Sequence, residues 1–458
     1  MLKKDKMILL LLLIFVLSFS FSTAAFGGGF YTQDTQVTLE GDIYPEFRIF
    51  SDSGDIEENL RGKLDIAYPG STHEFNVLLN YQIGAAEEID FAEAYYRYYG
   101  EQYEILIGKN RLVWGEGDQV HVVDHINPED LSDFINPDYL DRQVGEEMIK
   151  IDRYFRGGNA NLEFVYTPDF NGNRLANDPD SPLGNWIINP FAAEITFAEI
   201  LDNTAYRSEK EILDRVESSI QDEDHQFALR FTDSRGGTDY GFSYYKGYLR
   251  EPSYDKAAIN RLRTALDQNG FDQSEFEAEL DAADIHYDEV DAFGFEMARV
   301  IGDINSRFEL AYLRTDDSSG DDPLTRNNRI GWVVGGDRNL PYNNLNLNIQ
   351  FTGEKILDDD AIGNNELHID YDEDGDYTTH RAIVKLEDSY QNERIIPQLT
   401  WIYNFNDNDY SLEAAVDYEL QQDLELQLSH KIFRGDEDTT FGQFEDNDFT
   451  SIALKYSF

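Results

Sequence analysis

The chain has 458 residues, enough for two or three ordinary soluble domains or for one large β-architecture. Its 90 Asp plus Glu against 37 Lys plus Arg leave a formal net charge of −53, which phosphate would repel, so a nucleic-acid binder working through a basic surface is excluded. Cysteine is absent, which excludes disulfides, Cys-ligated metal centres and a lipidated N-terminal Cys, while 14 % aromatic residues argue against a disordered acidic chain.

Lys3, Lys4 and Lys6 precede an apolar run from Met7 to Leu17, and small residues follow up to Ala24 and Ala25. This order predicts a secretory signal peptide over residues 1–25, cut after Ala24 or Ala25. The run is short for the ~20 residues that a membrane-spanning helix needs. No later run approaches that length, so a membrane-embedded mature chain (26–458) would have to cross with strands.

Strand patterns are plentiful. Leu345, Leu347, Ile349 and Phe351 alternate with Asn344, Asn346, Asn348 and Gln350, placing one apolar and one polar face on a strand. Leu424, Leu426 and Leu428 alternate in the same way with Glu425, Gln427 and Ser429. Eighteen such segments begin near Thr35, Leu60, Glu74, Ile89, Gln102, Glu147, Ala160, Gln226, Asp239, Val290, Arg307, Asn328, Asn344, Arg381, Arg394, Ser411, Leu424 and Asp448. A soluble sandwich and a transmembrane barrel both have two-faced strands. Connector length separates them. Tight turns such as Pro69-Gly70-Ser71, Gly236-Gly237 and Gly302-Asp303 follow even-numbered strands. Long connectors, including 111–145, 168–224, 249–286, 316–327, 355–378 and 435–447, follow odd-numbered ones. Short periplasmic turns alternating with long extracellular loops are the outer-membrane pattern. Asn406-Asp407-Asn408 breaks the parity.

The 111–145 connector carries the densest chemistry. Lys109 and Arg111 end a strand, Trp114 and Glu116 follow, and Asp118, His121, Asp124, Asn127 and Asp130 recur about every three residues. Folded inward, the loop would line a constriction with carboxylates opposed by Lys109 and Arg111, a transverse field across a pore. Two other readings stand beside it. Asp118, His121, Asp124 and His125 could hold a metal, and Asn127-Pro128 and Asn136-Pro137 could simply turn the loop onto the wall.

Further along, Ser208-x-x-Glu211 is a capping box ahead of Ile212, Val216 and Ile220 at helical spacing. Ala257–Gln268 puts Ile259, Leu262 and Leu266 on one helical face, and Ser274–Ala283 reads as a second short helix. Such helices either cover the pore or pack among themselves at the surface. Asp370, Asp372, Asp374 and Asp376 with Gly375 copy the first half of a calcium loop, but Arg381 stands where the bidentate Glu belongs. The chain ends Ile452-Ala453-Leu454-Lys455-Tyr456-Ser457-Phe458, a strand with a continuous apolar face and a terminal aromatic. This ending resembles the assembly signal of bacterial outer-membrane barrels, which implies that the assembly machinery recognises Phe458.

Gly108-Lys109 leading to Trp114-Gly115-Glu116, then Asp118, Asp124-His125-Ile126-Asn127-Pro128-Glu129-Asp130 and Thr167-Pro168-Asp169, resembles a family of uncharacterised Gram-negative outer-membrane proteins. The resemblance covers about 75 residues and implies a porin-like barrel, sometimes linked with poorly soluble organic compounds.

Enzyme motifs are missing: there is no Gly-x-Ser-x-Gly, phosphate loop or His-Glu-x-x-His. Gly115-Glu116-Gly117 lacks the third glycine of a dinucleotide site. The expectation is an all-β transmembrane antiparallel barrel of 16 or 18 strands in the outer membrane, without a catalytic role or cofactor beyond the calcium candidate. It would pass small solutes, with cation preference. The alternatives are a plugged barrel for lipophilic compounds and a surface structural or adhesion barrel. Its partners would be outer-membrane lipid, small solutes and the assembly machinery, with oligomerisation left open.

Overall fold

A computed structural model describes residues 30–32, 35–83, 88–131, 139–174, 211, 215, 224–266, 273–282, 284–437 and 439–458. The expected signal peptide and the capping box at Ser208, with Ile212, Val216 and Ile220, lie outside these residues, as do Asn136-Pro137 and most of 168–224.

The chain folds as a closed antiparallel β-barrel of eighteen strands. In order these are β1 Thr35–Phe50, β2 Ile56–Pro69, β3 His73–Ile83, β4 Glu88–Tyr99, β5 Tyr103–Asn110 and β6 Glu146–Phe155. Next come β7 Ala160–Asp169, β8 Asp224–Arg235, β9 Thr238–Tyr248, β10 Glu289–Ile301, β11 Ile304–Thr315 and β12 Arg329–Asn339. The last are β13 Asn346–Ile356, β14 Thr378–Glu387, β15 Ile395–Asn404, β16 Asp409–Gln421, β17 Leu424–Arg434 and β18 Phe449–Ser457. A short strand, Phe30–Thr32, pairs with the start of β1. Every one of the eighteen expected segments is a strand, displaced by a few residues at most.

Two units make up the chain. One comprises Met1–Asn110, Gly336–Ile349 and Ala382–Phe458; the other comprises Arg111–Gly335 and Gln350–Arg381. In the first, β1 to β5 and β15 to β18 form consecutive antiparallel ladders, and β18 returns to β1. In the second, β6 to β11 form an uninterrupted antiparallel run.

The faces are inverted relative to a soluble protein. On β6, Met148, Lys150 and Asp152 are buried, whereas Ile149 and Ile151 between them are exposed by 38 % and 40 %. On β9 and β10, Phe242 and Phe293 face out while Tyr245, Ala292 and Glu296 are buried. Leaving each such large apolar group in water forfeits about 1.5–3 kcal/mol, so this repeated arrangement requires an apolar solvent around the wall. A buried strand face rich in Lys, Asp and Glu requires instead that the charges satisfy one another.

Turns follow the expected parity. Gly236 and Gly237, at φ +59° and +75°, make a two-residue turn whose handedness fits the twist of the β8–β9 hairpin. Three connectors are short against that parity: those between β1 and β2, between β3 and β4, and between β15 and β16. Closure occurs at the chain's last residue: Phe458 N–H donates to Gly41 and Gly41 N–H donates back to Phe458, both at 2.9 Å.

Candidate functional site

Residues 111–131 do not stand away from the wall. They lie on the buried face of the second unit's strands, and the contacts that hold them start from glycines in that wall. Gly294 of β10 leaves room for Val123, because a Cβ there would come within 3.0 Å of its Cγ1. At Gly331 of β12 an added Cβ would sit 3.4 Å from the Cβ of Val122. Trp114, Val123 and Ile126 are fully buried.

Glu309 of β11 is the centre of this contact. Its Oε1 accepts from the backbone N–H groups of Glu116 (2.8 Å) and Gly117 (2.7 Å) and meets His121 Nδ1 at 3.0 Å. Its Oε2 accepts from Val122 N–H at 2.8 Å. The carboxylate is wholly buried. Bonds to a charged acceptor contribute roughly 1.5–3 kcal/mol each, and all four would be left unmade if it were removed. Gly115 permits the wrap: its φ is +116°, and a Cβ would collide with both Glu309 Oε1 and His121 Nδ1. Burial opposes a charge on His121, but the Glu309 bond and carboxylate outweigh it and raise the imidazole above its ordinary value.

The other motif residues are distributed around this anchor. Asp118 pairs with Arg307 of β11 at 2.7 Å. The Gln350 amide faces the N–H groups of Asp118 and Gln119 and, with its oxygen on that side, accepts both at 2.6 and 3.1 Å. Trp114 Nε1 donates to Glu163 of β7 at 2.5 Å, and Arg230 of β8 stands 5.8 Å from the centre of its ring. Glu163 also takes Lys150 Nζ at 2.9 Å. Glu116 is half-buried; burial and then the Glu296 carboxylate push its pKa up.

Asn127 accepts from Leu112 N–H and donates to Val144, both at 2.8 Å, which closes the loop's base. Asp124 accepts from Gln143 at 2.7 Å, and Asp130 pairs with Arg174 at 3.5 Å. Asn127 thus pins the loop's base, as its turn reading expected, and residues 111–131 lie against the wall. His125 sits in the loop beside Tyr245, its pKa pulled down to about 4 by burial and the Arg250 guanidinium. Lys109 belongs to the first unit, where it meets Asp90 of β4 at 3.3 Å. Arg111 is half-buried at the loop's start. The base facing Asp118 is thus Arg307, a residue that sequence reasoning passed over along with Glu309, Glu296, Arg230 and Arg250. The available signal was a lone charge in an apolar alternation, as in Phe308-Glu309-Leu310. Arg250 Nη2 donates to Gln226 at 2.9 Å and to the Ile126 carbonyl, tying the loop to β8.

The metal candidates separate. Asp118 and His121 are engaged with different wall residues. Asp370 meets Arg329 at 3.2 Å and Arg326 at 3.5 Å and accepts from Asn327 N–H, whereas Asp372 caps Asp376 N–H. Asp374 is exposed. No group of three or more His, Asp or Glu able to hold a metal occurs among the described residues.

The family description "Protein of unknown function (DUF1302)" matches residues 85–458. The chain belongs to this DUF1302 family. The Trp-Gly-Glu segment by which it resembles that family is the one wrapped around Glu309. No curated protein matches the chain. Among solved structures, Pseudomonas aeruginosa OccK2 (OpdF) in complex with glucuronate aligns with a TM-score of 0.50 at 10 % identity, over 93 % of this chain and 98 % of that one. Pseudomonas aeruginosa OccK3 (OpdO) aligns with a TM-score of 0.50 at 8 % identity, over 93 % and 96 %. These likenesses bear on the fold, which is that of outer-membrane porins.

Proposed function

We propose that this DUF1302 protein is an outer-membrane channel for passive diffusion of small solutes, with residues 111–131 as its constriction and a preference for cations. The observation that carries the reading is the placement of this loop on the buried polar face of the wall, held there by Glu309. Around it, Glu116, Asp118, Asp239, Glu296 and Glu309 outnumber Arg230, Arg307 and His121. In a water-filled bore of reduced dielectric such a surplus draws cations and repels anions. Lipid around the apolar wall and an assembly factor recognising Phe458 are the partners that fit this reading, and no catalytic role is assigned.

The protein reconstituted in a planar bilayer under a salt gradient should give a reversal potential of cation-selective sign. Anion selectivity, or no conductance at all, overturns the proposal. Glu116→Gln should reduce the cation preference without closing the channel.

A further inference from the structure

We infer that Glu309 is the positioning residue of the constriction: its carboxylate is the template on which residues 115–122 fold, and the bore keeps its width only while that carboxylate is in place. The inference rests on the channel reading for its consequence, but not for its geometry.

Three observations carry it. First, both carboxylate oxygens are used by donors from the loop: Glu116, Gly117, Val122 and His121. Three of the four are backbone N–H groups, so the loop's path itself, not one side chain, is shaped to an anion. Second, Gly115 has a left-handed φ and no Cβ where Glu309 and His121 pass. Third, the neighbouring charges serve other atoms, with Glu296 accepting from the Gly115 N–H at the start of the wrap. On β10, Glu296 is taken by Arg230 at 2.5 Å, and on β11, Arg307 is taken by Asp118. Gln350 of β13 serves Asp118 and Gln119, and Asp124 on the loop faces Gln143. Among the described residues, Glu309 is thus the acidic side chain that addresses the N–H groups of residues 116, 117 and 122.

Glu309→Gln replaces one acceptor oxygen by an NH2 group, which then confronts loop donors. The loop should detach locally while the wall ladders, which use only backbone groups, persist. Because the chain contains no cysteine, loop position can be read without any assumption about conduction. The Cβ of Val122 lies 3.4 Å from a Cβ built at Gly331, close to disulfide spacing. Val122→Cys/Gly331→Cys should therefore oxidise readily in the parent. In the Glu309→Gln background the same pair should form its disulfide at least fivefold more slowly, and Glu309→Asp should recover part of the rate. Detergent-solubilised barrels that retain native electrophoretic mobility exclude simple misfolding as the cause.

In bilayers, Glu309→Gln should raise conductance about twofold or more and weaken selectivity. Equal oxidation rates in the parent and Glu309→Gln backgrounds overturn the inference, as does failure of the parent pair to cross-link. A parent that cross-links in a Glu309-dependent way but never conducts supports the positioning role and overturns only the channel reading.

Discussion

Trp114 keeps almost none of its surface exposed, with its indole N–H on Glu163 and Arg230 over the ring. Its place in the motif is explained by anchoring rather than by contact with solute. Trp114→Ala leaves a large cavity and strips Glu163 of one donor, so it should cost about 3–5 kcal/mol of stability. Trp114→Phe, which loses chiefly the hydrogen bond, should cost about 1–3 kcal/mol because Lys150 still serves Glu163. Urea unfolding in detergent micelles measures both, and a Trp114→Ala protein as stable as the parent would refute the anchoring role. His121 gives a pH signature. Its pKa is raised in the folded chain, so its charge stabilises the loop fully below about 6.5 and the contribution fades as pH rises through the raised value. The difference in melting temperature between parent and His121→Gln should be largest near pH 6 and shrink towards pH 9. A difference that grows with pH would reverse the assignment.

At the level of elements, three long connectors of the second unit are woven into one another. Arg326 N–H donates to Asp288 at 3.1 Å, Lys256 Nζ donates to the His368 carbonyl at 2.7 Å, and Ile369 N–H donates to Pro323 at 2.9 Å. The helices Lys256–Leu266 (α1) and Gln273–Ala282 (α2) belong to this assembly, with Arg261 bonded to Glu279 at 3.0 Å. Both were legible in the sequence, since Ile259 and Leu262 fall on one face and are buried. The role of Asp370 was not. Its acidic spacing suggested an ion, but the cations that neutralise it, Arg326 and Arg329, lie more than forty residues earlier and meet it only in the fold. Asp370→Asn should leave two half-buried guanidiniums undercompensated and speed proteolysis within 316–328 and 357–377 severalfold, whereas chelators should leave the parent's cleavage unchanged. Calcium-dependent protection of the parent would restore the ion-binding reading.

For the whole molecule, strand order and number were readable because a barrel strand obeys two local rules, side-chain alternation and turn chemistry. Ile149-Lys150-Ile151-Asp152 shows the alternation and Gly236-Gly237 the turn. Alternation alone could not say which face was buried. The burial of Lys150 and exposure of Ile149 answer that question. The loop's anchor was illegible for a different reason: Glu309 is nearly two hundred residues from Glu116, and no local rule joins them.

The closure of the wall has a consequence for biogenesis. Gly41 is bonded to Phe458 at 2.9 Å in both directions, and β1 takes its second partner from β18. Until β18 docks, β1 therefore has one side without its mate, and so does the strand at the other end of the sheet. Two bare edges of this kind invite pairing with other chains. A chain truncated before β18 is thus not a smaller barrel but an aggregation-prone sheet. The final contact to form is also among the longest loops the chain can close, which places it late in folding.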